Sequence, residues 1–388
     1  MREKAKEASN GARCLDGSAG AFYFAPSAAR VAQRAAQRRR RWFRGTTTTD
    51  SAANGAADEV LTAGQNTGSR ESWTSVSETA AEQQDDWIIY MRHGGWCYDD
   101  SGCLSRSHTC LGTTDGLASV SAAPGLASLG DECAEERPKG MLSDDCAINP
   151  GFCNANVVFI WYCDGTSMLS DRDSPVVVAG ETVYYRGRRI IDSVLETLAE
   201  DDATLTAAPG VAASAEGAFP FHFRNARRVL LVGTSAGGVA AFAHADRVGA
   251  WLRAMPLPRL VAYKAASLSG FFPATMPLGR FPDSSPLSGH TPTPRFLRPA
   301  RSAVGGEMKS DGFNFLAQMK MLVESGNAMG ALPRRCVETM VPANQWRCIF
   351  PERSVKTLQT PFFIEQVRLG LFCCCLVVLV LRRMSELC

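Results

Sequence analysis

The sequence predicts an α/β domain built on a mostly parallel sheet. Three observations carry that expectation: short, dense apolar runs bounded by turn residues, amphipathic segments between them, and a glycine-rich turn joining one run directly to a helix. The runs are Trp87 to Met91, Val157 to Tyr162, Val229 to Val232 and Phe362 to Ile364, and their unbroken hydrophobicity suits strands buried on both faces. Between them, within residues 183–200, Ile190, Ile191, Val194, Leu195 and Leu198 recur at helical spacing, so one face can pack on the sheet. A second helix, rich in alanine where it starts, is expected over 236–252. Stretches 112–139, 201–220 and 275–306, rich in Gly, Ala, Ser and Pro, are expected to be loop insertions.

Composition fits this picture. The chain has 388 residues, 45% hydrophobic and 21% charged, which supplies a sizeable core and excludes disordered, collagen-like and coiled-coil classes. The net charge of +2 conceals an asymmetry: the first 70 residues hold 12 basic against 6 acidic residues, the remainder 29 against 33. The mildly acidic body offers no electrostatic footprint for nucleic acid, so none is expected as a partner.

Both ends are biased. Arginines from Arg30 to Arg44 among Ala and Ser, followed by a polar stretch, suggest a disordered leader over 1–72, with the α/β domain over 73–366. The apolar, Cys-rich segment 367–388 is expected to be a divergent tail. Its uncharged run Leu369 to Leu381 is shorter than the roughly 17 to 20 residues that a spanning helix needs, so a tail anchor, a buried strand and spurious sequence all stay open. Nine of the 14 cysteines lie between Cys97 and Cys348; they show no CxxC pair or zinc-finger spacing, and nine so widely spaced favour an oxidising, secretory compartment over the cytosol.

The strongest chemical signal is Gly233-Thr234-Ser235-Ala236-Gly237-Gly238. It carries GxSxG directly after an apolar run and directly before a helix. In that context a serine sits on a sharp strand-to-helix turn whose neighbours must be small, with the helix N-terminus facing a developing anion. Neither a P-loop nor a dinucleotide GxGxxG spacing is present. A serine nucleophile needs oxyanion donors: the amide of Ala236, and others from a loop after an earlier strand. Residues 92–97, Arg-His-Gly-Gly-Trp-Cys, place two glycines just past the Trp87 to Met91 run, where backbone amides can approach a substrate.

Five segments in order resemble the pectin acetylesterases of plants and the related Notum-type carboxylesterases: HGGWCYD at 93–99, NPGFCNANVVFIWYCDGTSM at 149–168, VYYRGRRIIDSVLETL at 183–198, ARRVLLVGTSAGGVAAFAHADRV at 226–248 and RCIFPERSVKTLQTPFFI at 347–364. The resemblance implies an α/β-hydrolase-like three-layer fold, incomplete at the C-terminus. It implies Ser235 as acylated nucleophile and the amides of Gly95, Trp96 and Ala236 as oxyanion hole. It also implies a Cys336–Cys348 disulfide, secretion, no metal or organic cofactor, and an acylated polysaccharide or other carboxylic ester as substrate, handled by a monomer.

The departures bear on activity. Around Ser267 to Phe272 the family's SDAGFF becomes SLSGFF, and after Ile364 no position matches the family's catalytic Asp and His. Of the five histidines, His93 beside the proposed oxyanion loop is the least unsuited to serve as base, while His244 lies on the helix leading away from the serine. The expectation is a carboxylic ester hydrolase acting through a serine acyl-enzyme, weak or inactive in this chain. The alternative is a non-catalytic protein that binds carbohydrate or lipid, with membrane association through the tail.

Overall fold

A computed structural model describes residues 2–4, 11–25, 85–115, 140–143, 145–200, 223–274, 315–370 and 373–381. An eight-stranded sheet organises them. Its strands are β1 (Arg2–Lys4), β2 (Ala21–Ala25), β3 (Asp86–Met91), β4 (Asn156–Ile160), β7 (Arg228–Thr234), β8 (Ala262–Leu268), β9 (Phe362–Gly370) and β10 (Cys373–Leu381). A separate hairpin pairs β5 (Val176–Val178) with β6 (Glu181–Val183). The spatial order is β1-β2-β4-β3-β7-β8-β9-β10. The five central strands, β4 through β9, run parallel, and antiparallel pairs close both edges. The expected α/β class with a mostly parallel sheet is what the chain forms.

The six described α-helices are α1 (Asp100–Ser107), α2 (Gly187–Ala199), α3 (Ala236–Ala254), α4 (Phe315–Ser325), α5 (Arg334–Thr339) and α6 (Pro351–Ser354). Alternation decides which sheet face each helix covers. Trp87, Ile89, Met91, Val229, Leu231, Ala265 and Ile364 point to one face, and there they share a core with Ile190, Val194 and Leu198 of α2 and Phe242, Val248 and Leu252 of α3. Ile88, Tyr90, Val232 and Ala266 point to the other. Among the described residues that second face carries only a thin cover from Met141, Leu142, Ala155 and Phe152, which leaves a cavity of about 540 Å³.

The expected disordered leader needs correction, while the tail takes one of the forms left open for it. Residues 11–25 fall in the expected leader, yet they are folded: β2 lies antiparallel on β4, Phe22 and Phe24 are fully buried, and Phe24 stacks on Trp87 at 5.6 Å. A disulfide from Cys14 to Cys163 fastens this segment to the chain just past β4. The arginine-rich tract that suggested disorder begins only after β2, and it lies outside the described residues. At the other end, the apolar run becomes β10, paired residue by residue with β9. No described helix is long and apolar enough to cross a membrane. Of the expected insertions, 201–220 and 275–306 and most of 112–139 lie outside the described residues.

Disulfides also join Cys97 to Cys103, Cys146 to Cys153, and Cys336 to Cys348, the last as the family resemblance implied. The Cys14–Cys163 link closes a loop of 149 residues. Long loops gain most from closure in the chain-entropy account, so removing this one should cost about 2–5 kcal/mol. A Cys14→Ser/Cys163→Ser variant should melt well below the parent in non-reducing thermal denaturation. An unchanged melting temperature would show that β2 is held by packing alone.

Candidate active site

The site is built on one backbone feature. Ser235 lies between the end of β7 and the start of α3 with φ 53° and ψ −117°, a conformation that costs a non-glycine residue about 1–3 kcal/mol. Its backbone amide donates to the carbonyl of Leu268 at 2.9 Å, and its own carbonyl accepts from Gly238 N at 2.8 Å. A serine at a helix N-cap ordinarily turns its hydroxyl onto the helix's first amides; here it makes no such bond. The hydroxyl is thus held away from its own helix.

The small residues around it are dictated by contact. A Cβ on Gly233 would collide with the carbonyl of Gly237, and a Cβ on Gly237 with the carbonyl of Met91. On Gly238 it would lie 2.5 Å from Ser267 Oγ and 2.8 Å from Gly270 Cα. These approaches pin the start of α3 against the ends of β3 and β8. One residue earlier, Thr234 Oγ1 accepts a hydrogen bond from Tyr90 at 2.9 Å.

The second loop leaves β3 at Met91, which is in register with Gly233 of β7. Gly94 and Gly95 have φ of 154° and 62°, the second in the left-handed region. Arg106 Nη2 donates to the carbonyl of Gly94 at 2.7 Å, and the Tyr162 hydroxyl donates to that of Gly95 at 2.7 Å. Cys97 N–H donates to Gly165 O at 2.9 Å. The Trp96 indole rests edge-on against Phe272 at 5.3 Å, beside a cluster that includes Val239 and Ala243 of α3. The amides of Gly95, Trp96 and Ala236 make no hydrogen bond among the described residues. The structure therefore places the serine and the two loops at the C-terminal edge of neighbouring parallel strands, β3 and β7.

A third segment, 162–170, braces this edge. Ser167 and Met168 both take φ of 56°. They are held by the fully buried Asp164, whose carboxylate accepts from the Thr166 amide and hydroxyl and from the Met168 amide. Burial raises the Asp164 pKa against the pull of those hydrogen bonds. Gly187 is required opposite it, because a Cβ there would run into the carboxylate.

The histidines are placed as follows. His244 is fully buried on α3, its Nε2 2.8 Å from the carbonyl of Met168, so that nitrogen is the donor and the ring is occupied in bracing the turn. Burial lowers its pKa to about 4. His93 is exposed and makes no hydrogen bond or ion pair among the described residues, and His108 pairs with Glu181 at 3.3 Å. His222 and His290 lie outside the described residues. No group of three or more His, Cys, Asp or Glu among the described residues is placed to hold a metal ion.

His244 makes a pH prediction. Its pKa is depressed in the folded protein relative to the ordinary 6.5, so the unfolded chain binds the proton first as pH falls. The stability is intact above about pH 6.5 and is lost progressively toward pH 4, by roughly 3 kcal/mol for a shift of that size. Urea unfolding across this range should show His244→Gln with a shallower pH dependence than the parent. Identical slopes would remove His244 from the account.

With this geometry in view, comparisons with known proteins decide the family likeness. A model of the pectinacetylesterase family matches residues 66–214. Pectin acetylesterase 11 of Arabidopsis thaliana is 24% identical over 279 residues, 72% of this chain and 52% of the relative. The palmitoleoyl-protein carboxylesterase NOTUM of Mus musculus is 24% identical over 285 residues, 72% of this chain and 43% of the relative. This chain is similar to the pectin acetylesterases and Notum carboxylesterases. It spans about half the length of the curated relatives it matches. A crystal structure of the Wnt deacylase Notum from Drosophila superposes with a TM-score of 0.54 at 20% identity, covering 94% of this chain and 70% of that one, which supports the α/β-hydrolase-like fold. The family-model match stops short of Ser235.

Sequence reasoning missed three parts of this arrangement. The bracing roles of Tyr162 and Arg106 depend on contacts 67 and 12 residues apart in the chain, which no local pattern reveals. The strained pair Ser167-Met168 carries no glycine to announce it. Its sequence signal was its place in the 149–168 segment that resembles the family.

Proposed function

We propose that the chain is a carboxylic ester hydrolase in which Ser235 attacks the ester carbonyl and is acylated. The observation that carries this reading is the conformation of Ser235, strained between β7 and α3 with its hydroxyl not used to cap the helix. The unpaired amides of Gly95, Trp96 and Ala236 supply donors for the tetrahedral oxyanion, each such donor being worth about 10²–10³ in rate where measured. In the proposed course, the serine proton passes to solvent water as Oγ bonds to the carbonyl carbon, collapse breaks the ester C–O bond and the departing alkoxide takes a proton from water, and a second water adds to the acyl-serine to release the acid and restore the hydroxyl. No cofactor enters these steps.

None of the described histidines is supported as the base. His244 is committed to Met168 and kept neutral by burial, and His93 has no partner among the described residues to orient it. Acylation in this chain is therefore proposed to be slow, because a positioned base ordinarily contributes about 10²–10⁴. An acylated polysaccharide or a lipid-acylated protein is the proposed substrate class, by likeness to the pectin acetylesterase and the palmitoleoyl-protein carboxylesterase. Four disulfides among the described residues support an extracellular or secretory location.

Hydrolysis of p-nitrophenyl acetate and p-nitrophenyl octanoate by the purified chain tests this. Slow turnover above the buffer rate, saturable in ester, is the expected result. Absence of saturable turnover with either ester would overturn the catalytic reading in favour of a non-catalytic binding protein.

A further inference from the structure

We propose that Tyr162 and Arg106 are positioning residues that aim the Gly95 and Trp96 amides outward as a rigid pair of donors. The inference rests on the reading of Ser235 as nucleophile and deepens it. A trans peptide is planar, with its C=O and N–H pointing in opposite directions. No peptide in the described chain is cis. Arg106 Nη2 holds the Gly94 carbonyl at 2.7 Å, so the N–H of Gly95, in the same peptide, points away from Arg106. The Tyr162 hydroxyl holds the Gly95 carbonyl at 2.7 Å, so the N–H of Trp96 points away from Tyr162. Two successive peptides are thereby fixed through their oxygens, on the side remote from the amides.

The loop bears directly on these two anchors. A Cβ on Gly94 would lie 2.7 Å from Tyr162 Cδ1 and 3.2 Å from Arg106 Nη2, so the chain lies against both groups. A Cβ on Gly95, by contrast, would meet nothing within 4 Å, so the next residue of the loop borders open space. The anchors are themselves fixed. Tyr162 is fully buried, its oxygen accepts from Ser167 N–H at 2.9 Å, and the Arg106 guanidinium lies 5.1 Å over its ring. Arg106 Nε donates to Leu111 O at 3.1 Å, and its helix α1 is linked back to the loop by the Cys97–Cys103 disulfide. Burial pushes the Tyr162 phenol well above its ordinary pKa, so its proton stays available for donation to Gly95.

A glycine pair is otherwise the part of a backbone most free to reorient. Oxyanion donors act only when they are already aimed, since reorientation during the reaction costs back what the bond supplies. Removing the Tyr162 hydroxyl should leave substrate binding in place and lower the rate of the chemical step.

The test uses the full chain and its Tyr162→Phe variant, selectively ¹⁵N-labelled at tryptophan. The order parameter of the Trp96 amide should fall from the rigid range near ~0.85 toward ~0.6 or below, while that of Trp87 in β3 stays rigid. On p-nitrophenyl acetate, kcat should fall about 10- to 100-fold with KM unchanged within about twofold, a part of the full value of a donor. Arg106→Gln, which releases the other carbonyl, should lower kcat in the same way and serves if Tyr162→Phe does not fold. A rigid Trp96 amide with unchanged kcat overturns the proposal, as does a mobile Trp96 amide without loss of kcat, or loosening of Trp87 together with Trp96 in both variants. If the parent chain turns over no ester, the Ser235 reading fails, and the relaxation data alone decide whether Tyr162 and Arg106 hold the loop.

Discussion

Ser235→Ala is expected to reduce ester turnover to the buffer rate while leaving the fold intact. Loss of the nucleophile in a hydrolase with a full serine triad costs on the order of 10⁶ in kcat, because the remaining groups have nothing to act on. Under the slow acylation proposed for this chain, the expected loss is about 10²–10³, down to background. The alanine keeps φ near 53° and its strain, so its melting temperature should match the parent. Ser235→Gly should be equally inactive yet more stable by about 1 kcal/mol, because glycine adopts this backbone freely. That opposition of stability and activity at one position distinguishes a strained nucleophile from an ordinary turn residue. Retained turnover in both variants would place the chemistry elsewhere. Steady-state kinetics beside calorimetry on the three proteins reads both quantities.

The second large effect is expected at Gly237. Its missing side chain is what allows α3 to begin directly against the end of β3: an added Cβ would collide with the Met91 carbonyl oxygen and lie 2.8 Å from the Arg92 oxygen. These obstacles are backbone atoms in a buried strand and the turn after it, which have no rotamer to yield. Overpacking of this kind costs typically 1–3 kcal/mol and more where nothing gives way. For Gly237→Ala about 3 kcal/mol is expected, or about 5 °C in melting temperature for a domain of this size at about 2 cal/mol/K of unfolding entropy per residue. Turnover should fall further than stability explains, because any retreat of α3 from β3 separates Ser235 and Ala236 from the Gly95 loop. A displacement of about 1 Å at such a site can cost 10²-fold. A variant that melts and turns over like the parent would mean that the contact between α3 and β3 is not tight.

The centre of the fold was legible because its strands bury both faces: Trp87 to Met91 and Val229 to Val232 are unbroken apolar runs, and β3 and β7 extend them by only a few residues. Strands that bury less surface were missed. β8, with sequence AYKAASL, is built of small residues and an exposed lysine, so it lacks the hydrophobicity that marks its neighbours. β2 was masked by its context. AFYFA is apolar, but it precedes an arginine-rich stretch whose composition dominated the reading of residues 1–72. Its place depends on a disulfide and a strand pairing that reach about 140 residues along the chain.

The turn from β7 into α3 was legible for a physical reason: its glycines are each required by a backbone contact within a few ångströms, so local sequence records local geometry. The proposed oxyanion loop was legible only in part. Its glycines were visible, whereas the side chains that hydrogen-bond their carbonyls come from α1 and from the segment after β4. The tail run was ambiguous because 13 apolar residues fit neither a spanning helix nor a predicted element, and pairing of β10 with β9 settles its backbone as a strand.

The central claim is that Ser235 is the nucleophile, and covalent trapping tests it most directly. The purified chain would be incubated with a fluorophosphonate and analysed by intact mass and peptide mapping. The account predicts a single phosphonyl adduct on Ser235, formed slowly and to completion, with fluoride as leaving group, and none in Ser235→Ala. An unmodified chain after exhaustive incubation, or an adduct mapped to a different residue, would contradict it.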